Sequence, residues 1–200
     1  MITRLKLSTI EQGLPKYRSM LAGNAAYVPS SYESIASATG TGSSGTITFS
    51  SIPSTYQHLQ IRGIADSSGA GTQQDLLIRI NGVTSSSYSD HSLKGNGSSV
   101  SATGNASQTY AYNFDVVTGN SVTANTLGVF ILDLHDYAST SKTKTLRLLG
   151  GFDNNGSGYI VLNSNLFNST SAISSISLIA GGGGFWETNT QIALYGIKGA

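Results

Sequence analysis

The 200-residue chain predicts an all-β fold: a jelly-roll-like antiparallel β-sandwich preceded by an extended N-terminal arm. Apolar and polar residues alternate with a period of two in several short segments, which is the pattern of a half-buried strand. Stretches rich in Gly, Ser, Asn and Thr separate those segments and supply turn-forming residues. The length suits a single sandwich with a sizeable core. Eight or nine strands with long, small-residue loops fit two packed sheets, and a jelly roll is the best-fitting topology.

Residues 1–44 read as the arm and its linker, and residues 45–200 as the sandwich domain. In the arm, Leu5, Leu7, Ile10, Leu14, Tyr17, Met20 and Leu21 are interspersed among Arg4, Lys6, Lys16 and Arg18 without a clean period. Gly13 and Pro15 interrupt any long helix. Disordered tails are poorer in large apolar residues, so this segment is expected to dock on a neighbouring subunit. SATGTGSSG at 37–45 reads as a flexible link.

The domain opens on GTITFSSIPSTYQHLQIRGIA, residues 45–65. Ile47 and Phe49 alternate with Thr46, Thr48 and Ser50, Pro53 breaks the ladder, and Leu59, Ile61, Gly63 and Ala65 resume it, so the stretch reads as a hairpin. Leu76, Ile78 and Ile80 form the next apolar face, ended by the turn dipeptide Asn81-Gly82. Residues 84–107 are mostly Ser, Gly, Asn and Thr and read as a long loop region, a usual location for contact surfaces.

Tyr110, Tyr112, Phe114 and Val116 restart a strand as one face. TLGVFILD at 126–133 is apolar on both faces and is expected to be the most buried strand. Strands around Leu146 and Leu148 and around Tyr159–Leu162 flank the turn DNNGSG at 153–158. Ile173–Ala180 runs into Gly181–Gly184, read as a mobile loop, and Thr190–Ile197 closes the chain.

Composition excludes several functions. Charged residues make up 10% of the chain, against about 25% in ordinary soluble domains, and the formal net charge is +1. No strong field is present to attract nucleic acid or an anionic membrane. Cysteine is absent, which removes disulfides, thiolate metal sites and thiol catalysis. No apolar run is long enough for a transmembrane helix, and the N-terminus lacks the apolar core of a secretory signal, so the chain is expected to begin at Met1 without membrane insertion. The sequons at Asn96, Asn105, Asn155 and Asn168 are read as unglycosylated.

Catalytic and metal motifs are weak. Asp90-His91 and His135-Asp136 lack a recognisable nucleophile motif, and the three histidines lack zinc-motif spacing. DNNG at 153–156 starts like a calcium loop, but Ser164 stands where the closing Glu belongs, so a tight turn is expected. Gly181–Gly184 lacks the Lys and Ser/Thr of a phosphate loop. Neither a metal nor a cofactor is expected. Phe185 and Trp186 follow the glycines and, with Tyr88 and His91, are expected in exposed loops that contact a ligand or an interface. Tyr195 and Ile197 on the closing strand are expected at an oligomer interface.

Several pieces carry a family resemblance: RLKLSTIEQGLPKYRSMLAGN at 4–24, FSSIPSTYQHLQIRGIA at 49–65, DHSLKGNG at 90–97, LDLHDYASTSKTKTLR at 132–147 and LYGIKGA at 194–200. On these the chain resembles structural proteins of marine bacteriophages, those of cyanobacteria and related ocean hosts, of the capsid, fibre or tail type. The resemblance implies a non-enzymatic virion protein, assembled in the bacterial host cytoplasm as a homo-oligomer, with a trimer expected. Leu5, Leu7, Leu14, Tyr17 and Met20 of the arm would hold it to other capsid or tail proteins. A capsid decoration or cement role is the first expectation. The alternative is a tail or fibre component touching host surface glycan.

Overall fold

The structure, a computed structural model, describes residues 31–199. The arm residues Leu5, Leu7, Leu14, Tyr17 and Met20 lie outside that range. Twelve strands are present among the described residues: β1 (Tyr32–Thr39), β2 (Thr46–Phe49), β3 (His58–Ala65), β4 (Gln73–Ile80), β5 (Tyr88–Gly95), β6 (Val100–Gln108), β7 (Ala111–Thr118), β8 (Gly128–Leu134), β9 (Lys144–Asp153), β10 (Gly158–Phe167), β11 (Ile176–Ala180) and β12 (Gln191–Ile197). They form a large antiparallel sheet in the order β1-β12-β3-β8-β9-β10-β5-β6 and a small one in the order β2-β11-β4-β7.

This is an elaborated jelly roll. The eight strands of that fold, lettered B to I, form sheets BIDG and CHEF. Here β2, β11, β4 and β7 stand as B, I, D and G, while β3, β5 and β6 stand as C, E and F. The H position is filled by the meander β8-β9-β10, and β1 and β12 extend the edge beside β3. Three antiparallel strands enter and leave in the same directions as one, so the insertion preserves the rest of the path.

Leu59, Ile61, Leu132, Leu134, Leu146 and Leu148 of the large sheet are buried in one core with Ile47, Phe49, Leu76, Ile78, Ile176 and Leu178 of the small one. The alternations expected around Ile47, Leu59, Leu76, Leu178 and Leu194 are thus core faces.

The expected arm and linker overlap the domain, which begins at Tyr32. β1 pairs with β12 from Tyr32↔Ile197 to Thr39↔Gln191. Ser, Ala and Thr conceal this strand because an edge strand needs few apolar residues to pair. Nor is 37–45 a flexible link. Gly40 donates its N–H to Thr190 O at 2.9 Å and lies so close to the Trp186 and Glu187 carbonyls that a Cβ would collide with backbone.

β2 and β3 do not form a hairpin; they belong to different sheets. The segment containing Pro53 crosses the sandwich, pinned by buried Ile52, whose N–H donates to Ser174 O at 3.0 Å, and by the Tyr137 hydroxyl on Pro53 O. Asn81-Gly82 is the expected turn, both residues having positive φ (50° and 67°). The turn at 153–158 also forms, with Gly156 N–H donating to Asp153 Oδ1 at 2.8 Å.

Two stretches differ from expectation, the first because polar residues hide its strands and the second in the direction its strand faces. Residues 84–107, expected as loop, contain β5 and most of β6, paired from Gly95↔Val100 to Tyr88↔Gln108. In β7 the expected face is inverted: Ala111 and Asn113 are buried, whereas Tyr110, Tyr112 and Phe114 form an outward ladder with ring centroids 5.9 and 5.6 Å apart. A bulge at Asp115 (φ 55°) then turns Val116 inward. The bulge is held by Asp75 Oδ1, which accepts the Asp115 N–H at 3.1 Å, and by Lys94, whose Nζ lies 2.5 Å from Asp115 Oδ2. Burial pushes the Asp75 carboxyl above the ordinary aspartate value.

The stretch 181–184, expected as a mobile loop, holds a tight 3-10 turn at Gly181–Gly183 with Gly184 as its extended C-cap. Gly181 and Gly184 pass too close to the backbone of Asp75 and Gly69 to carry a side chain, while Gly182 and Gly183 have positive φ.

Candidate functional site: an apolar sheet face

The residues expected in exposed loops separate into two groups. Tyr88 is buried: its ring stacks on Phe167 at 5.0 Å, and its hydroxyl accepts the Ile80 N–H at 3.0 Å and donates to Val83 O at 3.2 Å. Trp186 is also buried, its indole N–H donating to Leu178 O at 3.2 Å. Both are core anchors, because a large ring with one polar atom stabilises an interior only where that atom finds a partner. Tyr88→Phe leaves the Ile80 N–H without this acceptor, and chemical denaturation is expected to show a loss of about 1–3 kcal/mol. His91 and Phe185 are exposed, the first on β5 and the second just after the glycine turn.

The two candidate dyads do not meet. Asp90 faces inward and His91 outward on adjacent positions of β5. His135-Asp136 lies beyond the end of β8 and gathers His58 instead, with the two imidazoles 4.9 Å apart. His58 Nδ1 accepts the Asp136 N–H at 3.0 Å, which uses that nitrogen to brace a turn. Lys142 Nζ, 2.7 Å from Asp136 Oδ2, holds the Asp136 carboxyl below the usual aspartate range. Among the described residues no group of three or more His, Asp or Glu is placed to hold a metal.

The surface that stands out is the outer face of the large sheet. Strand register aligns Ile131, Leu149, Leu162, Leu93 and Ala102 in one row across β8, β9, β10, β5 and β6. The adjacent row runs Ile64, Val129, Gly151, Ile160, Gly95 and Val100 from β3 to β6. Ile160 is 66% exposed, and Val129 and Leu149 are each 52% exposed. The glycines in the second row leave depressions between branched side chains, opening a trough of about 690 Å³ lined by Val129, Ile131, Leu149, Gly151 and Ile160.

A third row, Gln60, Asp133, Arg147, Ser164 and His91, forms a polar rim carrying both charge signs. Gln60 Nε2 donates to Asp133 Oδ1 at 2.7 Å and Arg62 Nε donates to Gln60 Oε1 at 2.6 Å. Tyr195 lies on the same outer face, its ring centroid 5.7 Å from the Arg62 guanidinium carbon. Ile197 is half-buried two residues further along β12.

Sequence periodicity pointed the wrong way here. The 126–133 segment, apolar on both faces, is not the most buried strand: Phe130, Leu132 and Leu134 fill the core while Val129 and Ile131 face out. In the middle of β10 and β5 the usual sense is reversed, with Ile160, Leu162 and Leu93 outside and Asn163, Asn165, Asp90 and Ser92 inside, while Val161, Phe167 and Tyr88 stay in the core. The one available signal was the doubly apolar β8, since a strand that needs one apolar face for its own core carries a second for another purpose.

The fold and face define a class: a jelly-roll sandwich whose large sheet presents an apolar outer surface. No protein-family model matches the chain, and no curated protein matches it. Among solved structures the chain is similar to a protein of unknown function from Shewanella oneidensis MR-1, with 11% identity, a TM-score of 0.23, and coverage of 84% of this chain and 77% of that one. No helix among the described residues is long and apolar enough to cross a membrane.

Proposed function

We propose that the protein is a non-enzymatic structural component of a phage virion, a capsid decoration or cement subunit that works as a homo-oligomer. The observation that carries the assembly role is the two-row apolar band on the outer face of the large sheet. A monomer rarely leaves so continuous an apolar surface in water unless a partner covers it. A second copy of the chain fits that surface: the rim presents Asp133 beside Arg147, so it can be paired by the same residues of another copy, and the small net charge sets up little repulsion between copies. A trimer is the stoichiometry expected of the resembling jelly-roll components. The bacteriophage resemblance supplies the virion setting, and the arm, through Leu5, Leu7, Leu14, Tyr17 and Met20, is the proposed attachment to neighbouring capsid proteins.

The test is quantitative mass spectrometry of purified particles. A lattice-like ratio of this chain to the major capsid protein is expected, and deletion of residues 1–24 is expected to leave a folded domain that fails to incorporate. Absence from particles, or normal incorporation of the truncated chain, overturns the respective part of the proposal.

The outward ladder Tyr110–Tyr112–Phe114 favours a second reading, a tail or fibre component that contacts host surface glycan. Arg79 lies 4.3 Å over the Tyr110 ring centroid, so the ladder combines stacking surfaces with a hydrogen-bond donor, a pairing suited to sugars. A few to a few tens of copies per particle would select this role over decoration.

A further inference from the structure

The inward rows of the large sheet change chemistry halfway across. On β3, β8 and β9 they read Ile61–Leu132–Leu148 and Leu59–Leu134–Leu146. The same rows continue on β10, β5 and β6 as Asn163–Ser92–Thr103 and Asn165–Asp90–Asn105. Asp90, Asn163 and Asn165 are at most 1% exposed. Asp90 is the direct cross-strand partner of Asn165, and Asn163 stands two residues along on the same face.

Hydrogen bonding accounts for only part of this block. Asn105 Nδ2 donates to Asp90 Oδ2 at 2.9 Å, and Asn165 Nδ2 donates to Asn113 Oδ1 of the facing sheet at 2.9 Å. Asp90 Oδ1, Asn165 Oδ1 and both polar atoms of Asn163 have no partner. Three of these four atoms are oxygen acceptors, one of them on a carboxylate. Rotating the Asn163 amide exchanges its own two orphan atoms and leaves the surplus of acceptors. Asp90 makes no ion pair among the described residues, and Lys94, further along the same face of β5, is taken by Asp115 at 2.5 Å. A buried carboxylate with unmatched acceptors around it is costly unless a positive charge joins it.

We propose that Asp90, Asn163 and Asn165 hold a monovalent cation of the sodium or potassium type between the two sheets. Carboxylate and amide oxygens are the ligands that hard cations prefer. One carboxylate balances one positive charge, whereas a divalent ion would leave a net charge buried. Entry is short, since β6 is the edge strand beside β5 and is exposed along nearly its whole length. The inference is independent of the virion reading, because it concerns the interior of a single chain.

Thermal unfolding of the full chain at one fixed ionic strength tests it, with sodium chloride or potassium chloride replacing N-methyl-D-glucamine chloride in steps. The melting temperature is expected to be higher with sodium or potassium and to climb with the logarithm of that ion's concentration. The near-isosteric Asp90→Asn variant is expected to lose this dependence. Sodium NMR is expected to show line broadening with the wild type that Asp90→Asn abolishes. Equal melting temperatures in all three salts with no broadening would mean that the block holds water only and would overturn the proposal. Identical ion dependence in wild type and Asp90→Asn would place the ion elsewhere and overturn it as well.

Discussion

Replacing Trp186 with alanine is expected to lower the unfolding free energy by about 3–5 kcal/mol, the cost of deleting a fully buried aromatic side chain from a packed core. That is a large share of the roughly 5–15 kcal/mol that holds a typical domain folded. Trp186 is fully buried, and three independent ties converge on it. Its own N–H donates to Ser44 O at 2.9 Å, its carbonyl accepts the Gly42 N–H at 2.9 Å, and its indole reaches Leu178 O on β11. The residue therefore fastens the chain entering β2 to the strand paired with it, so the cavity cannot close without moving the sheet edge. At roughly 2–4 °C per kcal/mol for a chain of this size, the melting temperature should fall by about 6–20 °C. Guanidinium unfolding followed by circular dichroism measures it. A loss within about 0.5 kcal/mol, the usual range for surface substitutions, would return Trp186 to the exposed-loop role.

The double substitution Leu149→Lys with Ile160→Lys is expected to act on assembly and leave the fold alone. Both side chains project from the outer face, so neither contributes to the chain's own core, and lysine there is solvated in the isolated subunit. Leu149 is 52% and Ile160 66% exposed, so in an oligomer that covers the face each replacement removes roughly half of a full side-chain burial, about 1–2 kcal/mol, and buries an unpaired charge in its place. The combined loss is at least about 3 kcal/mol, which weakens self-association by a hundredfold or more. Sedimentation velocity over a concentration series reads this directly: an oligomer for the wild type, a monomer for the variant, with matching circular dichroism spectra and melting temperatures when both are compared as monomers. A wild type that stays monomeric, or a variant that associates equally well, would remove the apolar band from the interface.

The two variants also separate the kinds of residue that sequence patterns confuse. Trp186 after four glycines and Tyr88 among serines both have the local appearance of loop aromatics, yet each is buried with its polar atom satisfied by the backbone of another element. Val129, Ile131, Ile160 and Leu162 have the appearance of core residues and face outward. Local composition reports what a side chain prefers. Which side of a sheet is covered depends on a second sheet that packs from elsewhere in the chain.

By itself the sequence determined the fold class and the core strands whose alternation is uninterrupted, around Ile47, Leu59, Leu76, Leu178 and Leu194, together with the turns at Asn81-Gly82 and 153–158. These are local: a period of two and residues tolerant of positive φ are legible within a few positions. Only the tertiary structure decided that β2 and β3 lie in different sheets, that β1, β5 and β6 are strands despite their small polar residues, and that the bulge at Asp115 turns the Tyr110–Phe114 ladder outward. It also decided that the middle of β10 and β5 is reversed, with asparagine and aspartate inside and leucine and isoleucine outside. Register and sheet membership follow from pairings between residues far apart in the chain, and a shift of one residue exchanges the two faces of a strand. The apolar band and the buried Asp90–Asn163–Asn165 block are opposite faces of the same strands, and neither exists until that register is set.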